Sequence, residues 1–157
     1  MAHESVRSLN IKLIVAGEFY GDEAQYTSMI SKLGISNHVI LHSSYIPKED
    51  VKNFFCAADL VVQPYKSATQ SGITQIAYHF ERPMIVTKVG GLEEMVPDGK
   101  VGYVVEANAN AIALKIAEFY TSKREEIFQR NTSLEKERFS WSRFVSIVLK
   151  EIGRAHV

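Results

Sequence analysis

Residues 65–72 read Tyr-Lys-Ser-Ala-Thr-Gln-Ser-Gly and combine a cation, several hydroxyls and a serine–glycine pair where a helix is predicted to begin. Free backbone N–H groups and the partial positive charge of a helix N-terminus suit phosphate. The missing Cβ of Gly72 lets a ligand approach the backbone closely. The alternative is that Ser71 only caps the helix and Gly72 only makes a turn. Position favours an anion site, because this long loop follows the carboxyl end of a strand.

Other sequence signatures of nucleotide or metal chemistry are missing. The chain has no G-x-G-x-x-G after its first strand and no G-x-x-x-x-G-K-[ST], which disfavours dinucleotide-binding and P-loop proteins. It also lacks Asp-x-Asp, Cys-x-x-Cys and His-Glu-x-x-His, so we predict no metal and no cofactor. The histidines are predicted to be solvated side chains rather than general bases; they are His3, His38, His42, His79 and His156.

Composition and charge narrow the class of protein. The 157 residues suit one domain, and 46% hydrophobic residues are enough for a core. Lys+Arg and Asp+Glu balance at 18 each, which gives no global field toward nucleic acid or an acidic membrane. We expect the single cysteine, Cys56, to be a buried reduced thiol, which suits a cytoplasmic protein. No apolar run is long enough for a membrane span, and the first residues do not resemble a signal peptide.

The elements that would position the loop alternate between strand and helix. Short β-branched runs predict five strands, of which the first is expected to be buried: residues 11–16, 38–42, 59–63, 84–87 and 102–105. Helical spacing of apolar residues predicts helices at residues 22–33, 47–57, 72–80, 109–120, 123–139 and 141–152.

This order predicts a single α/β domain over residues 1–157, with a Rossmann-like, doubly wound parallel sheet of about five strands. Helices should cover both faces, and the C-terminal tail should be helical. Ligands bind such sheets outside the carboxyl ends of the strands. The loops of interest are therefore residues 17–21, 42–47, 64–72 and 88–94.

Several segments together carry a resemblance to a known family. They are residues 11–18, Val-Ile-Leu-His-Ser-Ser-Tyr-Ile-Pro at 39–47, Ala-Ala-Asp-Leu at 57–60, residues 71–83, Val-Gly-Gly-Leu-Glu-Glu at 89–94 and Asp-Gly-Lys-Val-Gly at 98–102. Their order and spacing over residues 11–119 resemble the C-terminal, donor-binding domain of the family-four retaining glycosyltransferases (group 1), which have the GT-B fold. Phe139-Ser-Trp141 resembles the start of that family's closing helix.

The resemblance implies a transferase domain that binds a nucleotide diphosphate sugar, with retention of anomeric configuration and no metal. The backbone around Ser71, Gly72 and Ile73 would hold the diphosphate, and Tyr45, Ile46 and Pro47 would border the base. Glu18 could contact the nucleotide or be solvated, and Glu94 is expected to hold its loop rather than touch the donor. The predicted donor-binding residues are Glu18, Tyr45, Ile46, Pro47, Lys66, Thr69, Gln70, Ser71, Gly72, Ile73, Gln75 and Glu94.

Two glutamates that the family places eight positions apart around this loop are replaced here. The first position falls among Ala68, Thr69 and Gln70, and the second falls on Gln75 or Ile76. An amide at Gln75 can still bond a ribose hydroxyl, but Gln70 cannot stabilise positive charge as a carboxylate does. No catalytic residue is assigned, and Gln70 is the candidate. We expect either a variant catalytic pattern or altered donor affinity.

The family's C-terminal domain normally begins with a further strand and helix, whose arginine and lysine neutralise the leaving diphosphate. The sequence lacks this unit and the acceptor domain, so we expect a fragment that is inactive alone. Lys66 is the nearest remaining cation, and it is either a phosphate contact or a solvated lysine. The last helices could form an interface with the missing domain or with a second copy.

Three functional hypotheses remain open. In the first, the parent enzyme, peripheral to a membrane, transfers a sugar to a glycan or glycolipid in polysaccharide biosynthesis. In the second, the chain is a non-catalytic nucleotide-sugar-binding or interaction module. In the third, it belongs to another enzyme with a related fold, such as a sugar-nucleotide epimerase. The expected partners are a nucleotide-sugar donor and an acceptor domain, and not nucleic acid.

Overall fold

The computed structural model describes residues 1–154, in which five short strands alternate with helices. The strands are β1 (Leu13–Ala16), β2 (Val39–His42), β3 (Val61–Gln63), β4 (Met84–Thr87) and β5 (Gly102–Val105). The helices are α1 (Glu4–Arg7), α2 (Glu23–Lys32), α3 (Lys48–Ala57), α4 (Gly72–His79), α5 (Leu92–Met95), α6 (Ala109–Thr121), α7 (Glu125–Glu135) and α8 (Trp141–Arg154). Short 3₁₀ turns lie at Ser36–His38 and Lys136–Phe139.

The strands form two parallel sheets. β1 pairs with β2, while β3, β4 and β5 pair in that order. In the described part of the chain, no backbone hydrogen bond joins β1 to β3, so each of these strands has one unpaired edge. The predicted doubly wound α/β fold with a helical tail is therefore confirmed, but its five strands lie in two sheets.

Local sequence signals account for the helix boundaries. The side chains of Asp22 and Asn108 accept hydrogen bonds from the first turns of α2 and α6, as N-caps do. Gly34, with φ of +63°, follows the last turn of α2 in a conformation that glycine adopts without strain. The ends of α2 and the start of α6 therefore lie within one residue of the predicted bounds.

Both core clusters belong to the second sheet and lie on its two faces. Met84 and Val86 of β4 pack in one cluster, and Ile85 packs in the other, as the alternation of side chains along a strand requires. The first cluster takes in Ala77 and Tyr78 of α4 and Leu92 of α5. The second cluster contains Tyr103 and Val105 of β5, Phe119 of α6 and Phe128 of α7. Helices thus cover both faces of this sheet.

The half of the molecule before residue 60 is packed less well. All four residues of β1 are exposed, with Leu13 at 38% and Ile14 at 40%, so the prediction that this strand is buried is wrong. β1 has the apolar composition of a strand covered on both faces. Its side chains stand on the two faces of the sheet and are incompletely covered there, and β2 is the only strand paired with it in the described chain.

The prediction that Cys56 is buried is also wrong, because its side chain is exposed. In α3, the half-buried residues Phe54 and Phe55 lie three and four positions after Val51, on the same side of the helix. Phe55 packs on the core of the second sheet and stacks on Phe80 with ring centroids 5.6 Å apart. Cys56 points away from this side because it lies about 100° of helix rotation past Phe55 and about 200° past Phe54.

The C-terminal helix α8 presents an apolar surface to solvent. Its exposed large side chains include Trp141 at 77%, Leu149 at 64% and Phe144 at 55%. None of the helices within residues 1–154 is both long and apolar enough to span a membrane.

Candidate functional site

The loop between β3 and α4 is organised around the side chain of Ser71. Its Oγ accepts a hydrogen bond from the backbone N–H of Ile73 at 3.2 Å, and it lies 3.2 Å from the hydroxyl oxygen of Tyr65. Ser71 is 7% exposed and has extended dihedral angles, as an N-cap residue does. The first turn of α4 is therefore capped by a serine that is itself fixed by the loop it terminates.

A second loop, which follows β4, holds the first one in place. Gly91 donates its backbone N–H to the carbonyl oxygen of Thr69 at 3.0 Å. The hydroxyl of Thr87 donates to the carbonyl oxygen of Tyr65 at 2.6 Å. A β-carbon on Gly90 would meet the carbonyl oxygen of Ala68 at 1.6 Å, so the two backbones are in direct contact. The glycine pair thus allows the loops to pack together.

A buried polar pair lies beneath the start of α4. The hydroxyl of Thr74 donates to Oε1 of Gln63 at 2.9 Å, and the two residues are 0% and 3% exposed. Nε2 of Gln63 is buried and has no hydrogen-bond partner in the described structure. Sequence reasoning missed this residue. The available signal was a carboxamide at the end of the otherwise apolar strand β3.

The start of α4 has the electrostatics of an anion site. A helix N-terminus carries partial positive charge, and its first N–H groups have no intrahelical acceptors. Gly72 is exposed, and a β-carbon built on it would meet nothing within 4 Å, so the backbone is open to an approaching ligand. Lys66 is exposed in the same loop. This arrangement can bind a phosphate group.

The remaining predicted residues of this loop and helix are mostly accessible. Thr69, Gln70 and Gln75 are exposed, and Ile73 is 39% exposed, whereas Ser71 is buried. Ile76, the other residue at the second glutamate position, is half-buried in α4. The chain therefore presents carboxamides and a hydroxyl where the resemblance led us to look for carboxylates.

Glu18, Tyr45, Ile46 and Pro47 follow the strands of the other sheet. Glu18 lies just after β1 and is exposed. Tyr45 is 69% exposed, Ile46 is half-buried, and Pro47 precedes α3. These residues share the carboxyl edge of the first sheet, and the loops around Ser71 and Gly90 share that of the second. No hydrogen bond or ion pair in the described structure joins the two groups.

Glu94 lies in α5, and its exposed side chain has no role in the loop contacts above. Its backbone carbonyl oxygen accepts a hydrogen bond from Nη2 of Arg138 at 2.9 Å. The nearby ion pair in this segment joins Lys88 to Glu93 at 3.5 Å. The expectation that the Glu94 side chain holds its loop remains a prediction.

The histidines lie apart from this loop pair. His42 and His79 are exposed and His38 is half-buried, while His3 contacts Ser5 and Asn110 through its two ring nitrogens. His156 lies outside the described residues. Across residues 1–154, no group of three or more His, Cys, Asp or Glu side chains is arranged to hold a metal ion.

Comparison with known proteins gives matches along most of the chain. The family described as "Glycosyl transferases group 1" matches residues 2–122. D-inositol 3-phosphate glycosyltransferase of Arthrobacter sp. (strain FB24) is 24% identical over 150 residues, which are 94% of this chain and 35% of that protein. Lipopolysaccharide 1,2-N-acetylglucosaminetransferase of Salmonella typhimurium is 28% identical over 154 residues, covering 89% of this chain and 40% of that protein. The chain thus spans well under half the length of these relatives.

Solved structures share the fold. Anabaena HepE in complex with UDP has a TM-score of 0.78 at 18% identity, and the match covers 92% of this chain and 41% of that chain. The C-terminal domain of a group 1 glycosyltransferase from Francisella tularensis has a TM-score of 0.65 at 20% identity. That match covers 72% of this chain and 59% of the other chain.

Proposed function

Because this chain belongs to the group 1 glycosyltransferases, we propose that it binds the nucleotide diphosphate sugar donor, with the diphosphate at the start of α4. The observation that carries this proposal is the Ser71-capped helix start, open at Gly72 and held by the loop that follows β4. A solved relative of the same fold was crystallised with UDP.

The individual residues have separate roles in this proposal. The backbone around Ser71, Gly72 and Ile73 donates to phosphate oxygens, and Lys66 adds a positive charge to the same loop. The amide of Gln75 bonds a ribose hydroxyl, and Gln70 and Thr69 lie toward the sugar. Tyr45, Ile46 and Pro47 border the base, Glu18 contacts the nucleotide, and Glu94 keeps the loop after β4 in place.

The reaction of the whole enzyme is sugar transfer to a glycan or glycolipid acceptor. The bond between the anomeric carbon and the diphosphate oxygen breaks, and the nucleoside diphosphate leaves with the bonding electrons. The acceptor hydroxyl bonds to the anomeric carbon on the same face and gives its proton to an oxygen of the departing diphosphate, so configuration is retained. The helix start and Lys66, rather than a metal ion, stabilise the leaving diphosphate.

We also propose that the complete donor domain contains one more strand and that an acceptor domain faces it. The unpaired edges of β1 and β3 support this, since doubly wound sheets have the strand order 3-2-1-4-5-6. In that numbering, β1 and β2 of this chain are strands 2 and 3. The strands β3, β4 and β5 are strands 4, 5 and 6. Strand 1 of that order would lie between β1 and β3, pair with both and join the two sheets.

Calorimetry with UDP and GDP tests donor binding, and Gly72→Ala is the informative variant. Its β-carbon has free space in the unliganded protein, so folding should be unaffected or slightly improved. The same β-carbon would obstruct the phosphate, and we expect affinity to fall about tenfold, the equivalent of 1.4 kcal/mol.

Gly153→Ala is the matched control, because its β-carbon also meets nothing within 4 Å and it lies in α8. A second pair is Ser71→Ala and Ser140→Ala, since Ser140 likewise accepts a hydrogen bond from a helical N–H, that of Arg143. Only the variants at residues 71 and 72 should weaken nucleotide binding. A folded chain that binds neither UDP nor GDP would contradict the proposal.

A second candidate function is a non-catalytic nucleotide-sugar-binding module. The observation that favours it is the absence of carboxylates at both positions around the loop, where residues 68–70, Gln75 and Ile76 stand. Acceptor-dependent sugar transfer by a longer protein that contains this chain would exclude this alternative. Nucleotide binding without transfer would support it.

A further inference from the structure

Gln63 differs from the other buried polar residues around the loop because half of its carboxamide is unsatisfied. Its Oε1 accepts the hydroxyl proton of Thr74 at 2.9 Å, whereas its Nε2 has no partner among the described residues. Only 3% of the residue is exposed to solvent. A buried N–H group without an acceptor is unfavourable, so native proteins retain one chiefly where something satisfies it.

The position of this amide relates it to the start of α4. Gln63 is the last residue of β3, and Thr74 is the third residue of α4. The unpaired Nε2 therefore lies beside the first turn of the helix, whose N–H groups form the proposed diphosphate site. Both the helix terminus and the carboxamide carry hydrogen-bond donors. The carboxamide N–H₂ group has no acceptor among the described residues, and at the helix terminus the N–H of Ile73 is bonded to Oγ of Ser71 while that of Gly72 has no intrahelical acceptor.

The surrounding polar groups are already committed to other partners. Thr87 donates to the carbonyl oxygen of Tyr65 at 2.6 Å and lies 3.4 Å from that of Gln63. Ser71 accepts from the N–H of Ile73 and contacts the hydroxyl of Tyr65. These bonds leave the Gln63 N–H₂ group as the unsatisfied donor of this buried cluster.

We propose that Gln63 is a positioning residue of the donor site, an inference that rests on the proposed function. Its Oε1 holds the first turn of α4 through Thr74. Its N–H₂ group is enclosed in the unliganded structure, and it donates to an oxygen that is present only when the diphosphate is bound and the loop at residues 65–72 has shifted to admit it. The unsatisfied amide makes the empty site less stable than it would be with an apolar residue, and the bound diphosphate supplies the acceptor.

The test compares stability with affinity in the double variant Gln63→Met/Thr74→Val, which removes the carboxamide together with the buried hydroxyl that donates to it. Thermal stability of the unliganded double variant should equal or exceed that of the parent chain, because the unpaired donor is gone and no buried hydroxyl is left without an acceptor. Affinity for UDP should fall about tenfold. A residue with only a structural role would lower stability and affinity together or leave both unchanged.

Variants of Thr74, the hydrogen-bond partner of Gln63, test the proposal even if the variant at residue 63 fails to fold. Thr74→Val removes the hydroxyl and leaves the carboxamide without any partner, so both stability and affinity should fall, and Thr74→Ser should restore both. Thr132→Val is the control, since Thr132 is 0% exposed and its hydroxyl donates to the carbonyl oxygen of Phe128 in α7. It should lose stability and keep its affinity for UDP.

Nuclear magnetic resonance gives a direct readout of the amide. The side-chain N–H₂ signals of Gln63, identified by their loss in Gln63→Met, should shift and exchange more slowly on addition of UDP or pyrophosphate. Uridine should leave them unchanged. The inference is overturned if Gln63→Met/Thr74→Val binds UDP as tightly as the parent chain, or if uridine alone moves the signals. If the parent chain binds neither UDP nor GDP, the proposed function fails as well.

Discussion

The α-carbon of Gly90 lies against the carbonyl oxygen of Ala68, where a β-carbon would be 1.6 Å from that oxygen and 2.7 Å from the carbonyl carbon. Gly90 also has φ of +53°, a backbone conformation that residues other than glycine rarely adopt. The loops that follow β3 and β4 can therefore meet only if residue 90 lacks a side chain.

Gly90→Ala should destabilise the protein by more than about 3 kcal/mol, because the two backbones must separate. Gly99→Ala is the matched control, since Gly99 has φ of +70° and free space around its β-position. It should cost about 1 kcal/mol through backbone strain alone. Urea unfolding followed by circular dichroism measures both values, and equal losses would contradict the close contact between the loops.

Glu135 should contribute stability that depends on pH. Hydrogen bonds from Lys100 at 2.5 Å and Arg138 at 2.7 Å hold the pKa of its nearly buried carboxylate below the ordinary value. The unfolded chain then takes up the proton first as pH falls. The stabilisation is complete above the ordinary glutamate pKa of about 4.3 and is lost as pH falls through the lower pKa of the folded protein.

Glu135→Gln should therefore lower the free energy of unfolding by about 1–2 kcal/mol at pH 7. The loss is no larger because both cations are about half exposed to solvent. The variant should also show a flatter decline in stability toward acidic pH. The measurement is the urea unfolding midpoint as a function of pH from about 3 to about 7, a range that includes the ordinary pKa of glutamate. Glu137→Gln, an exposed neighbour in the same segment, should leave the profile intact. Parallel profiles for the parent and Glu135→Gln would refute the role of this carboxylate.

Tyr120 should give the opposite dependence at alkaline pH. Burial, followed by the nearby Asp59, raises the pKa of its hydroxyl to about 12. The unfolded tyrosine ionises first, near its ordinary pKa of about 10, so stability should decline as pH rises from there toward the folded value. Tyr120→Phe should make this decline shallower in alkaline urea titrations, whereas Tyr20→Phe, at a fully exposed residue, should not.

Hydrogen exchange should reveal the uneven packing of the two sheets. Backbone amides of β1 should exchange on the order of a hundred times faster than those of β4, whose four residues are all buried. Mass spectrometry of peptides that contain each strand measures the difference. Equal protection of β1 and β4 would show that the open edge of β1 does not weaken it.

Sequence patterns predicted the second sheet closely, because its strands and helices obey local rules. β4 and β5 have the predicted bounds, and Ser71 caps α4 as its position before Gly72 suggests. The four-residue helix α5 was not predicted, since it is too short for a periodic signal.

The errors and omissions depend on contacts distant in sequence. β1 has the composition of a buried strand, but burial requires other elements to cover both faces of its sheet, and composition alone does not supply them. The exposure of Cys56 depends on which side of α3 meets Phe80. The role of Gln63 was not visible because its bond to Thr74 spans eleven positions between a strand and a helix.

The exposed thiol of Cys56 makes the chain ready for single-site chemistry, since it is the only cysteine in the sequence. A maleimide dye or spin label would attach at one known point without prior mutagenesis. That point lies on the helix that begins directly after Pro47. A probe there would report movements of the helix that follows residues 45–47, the segment that we propose borders the base.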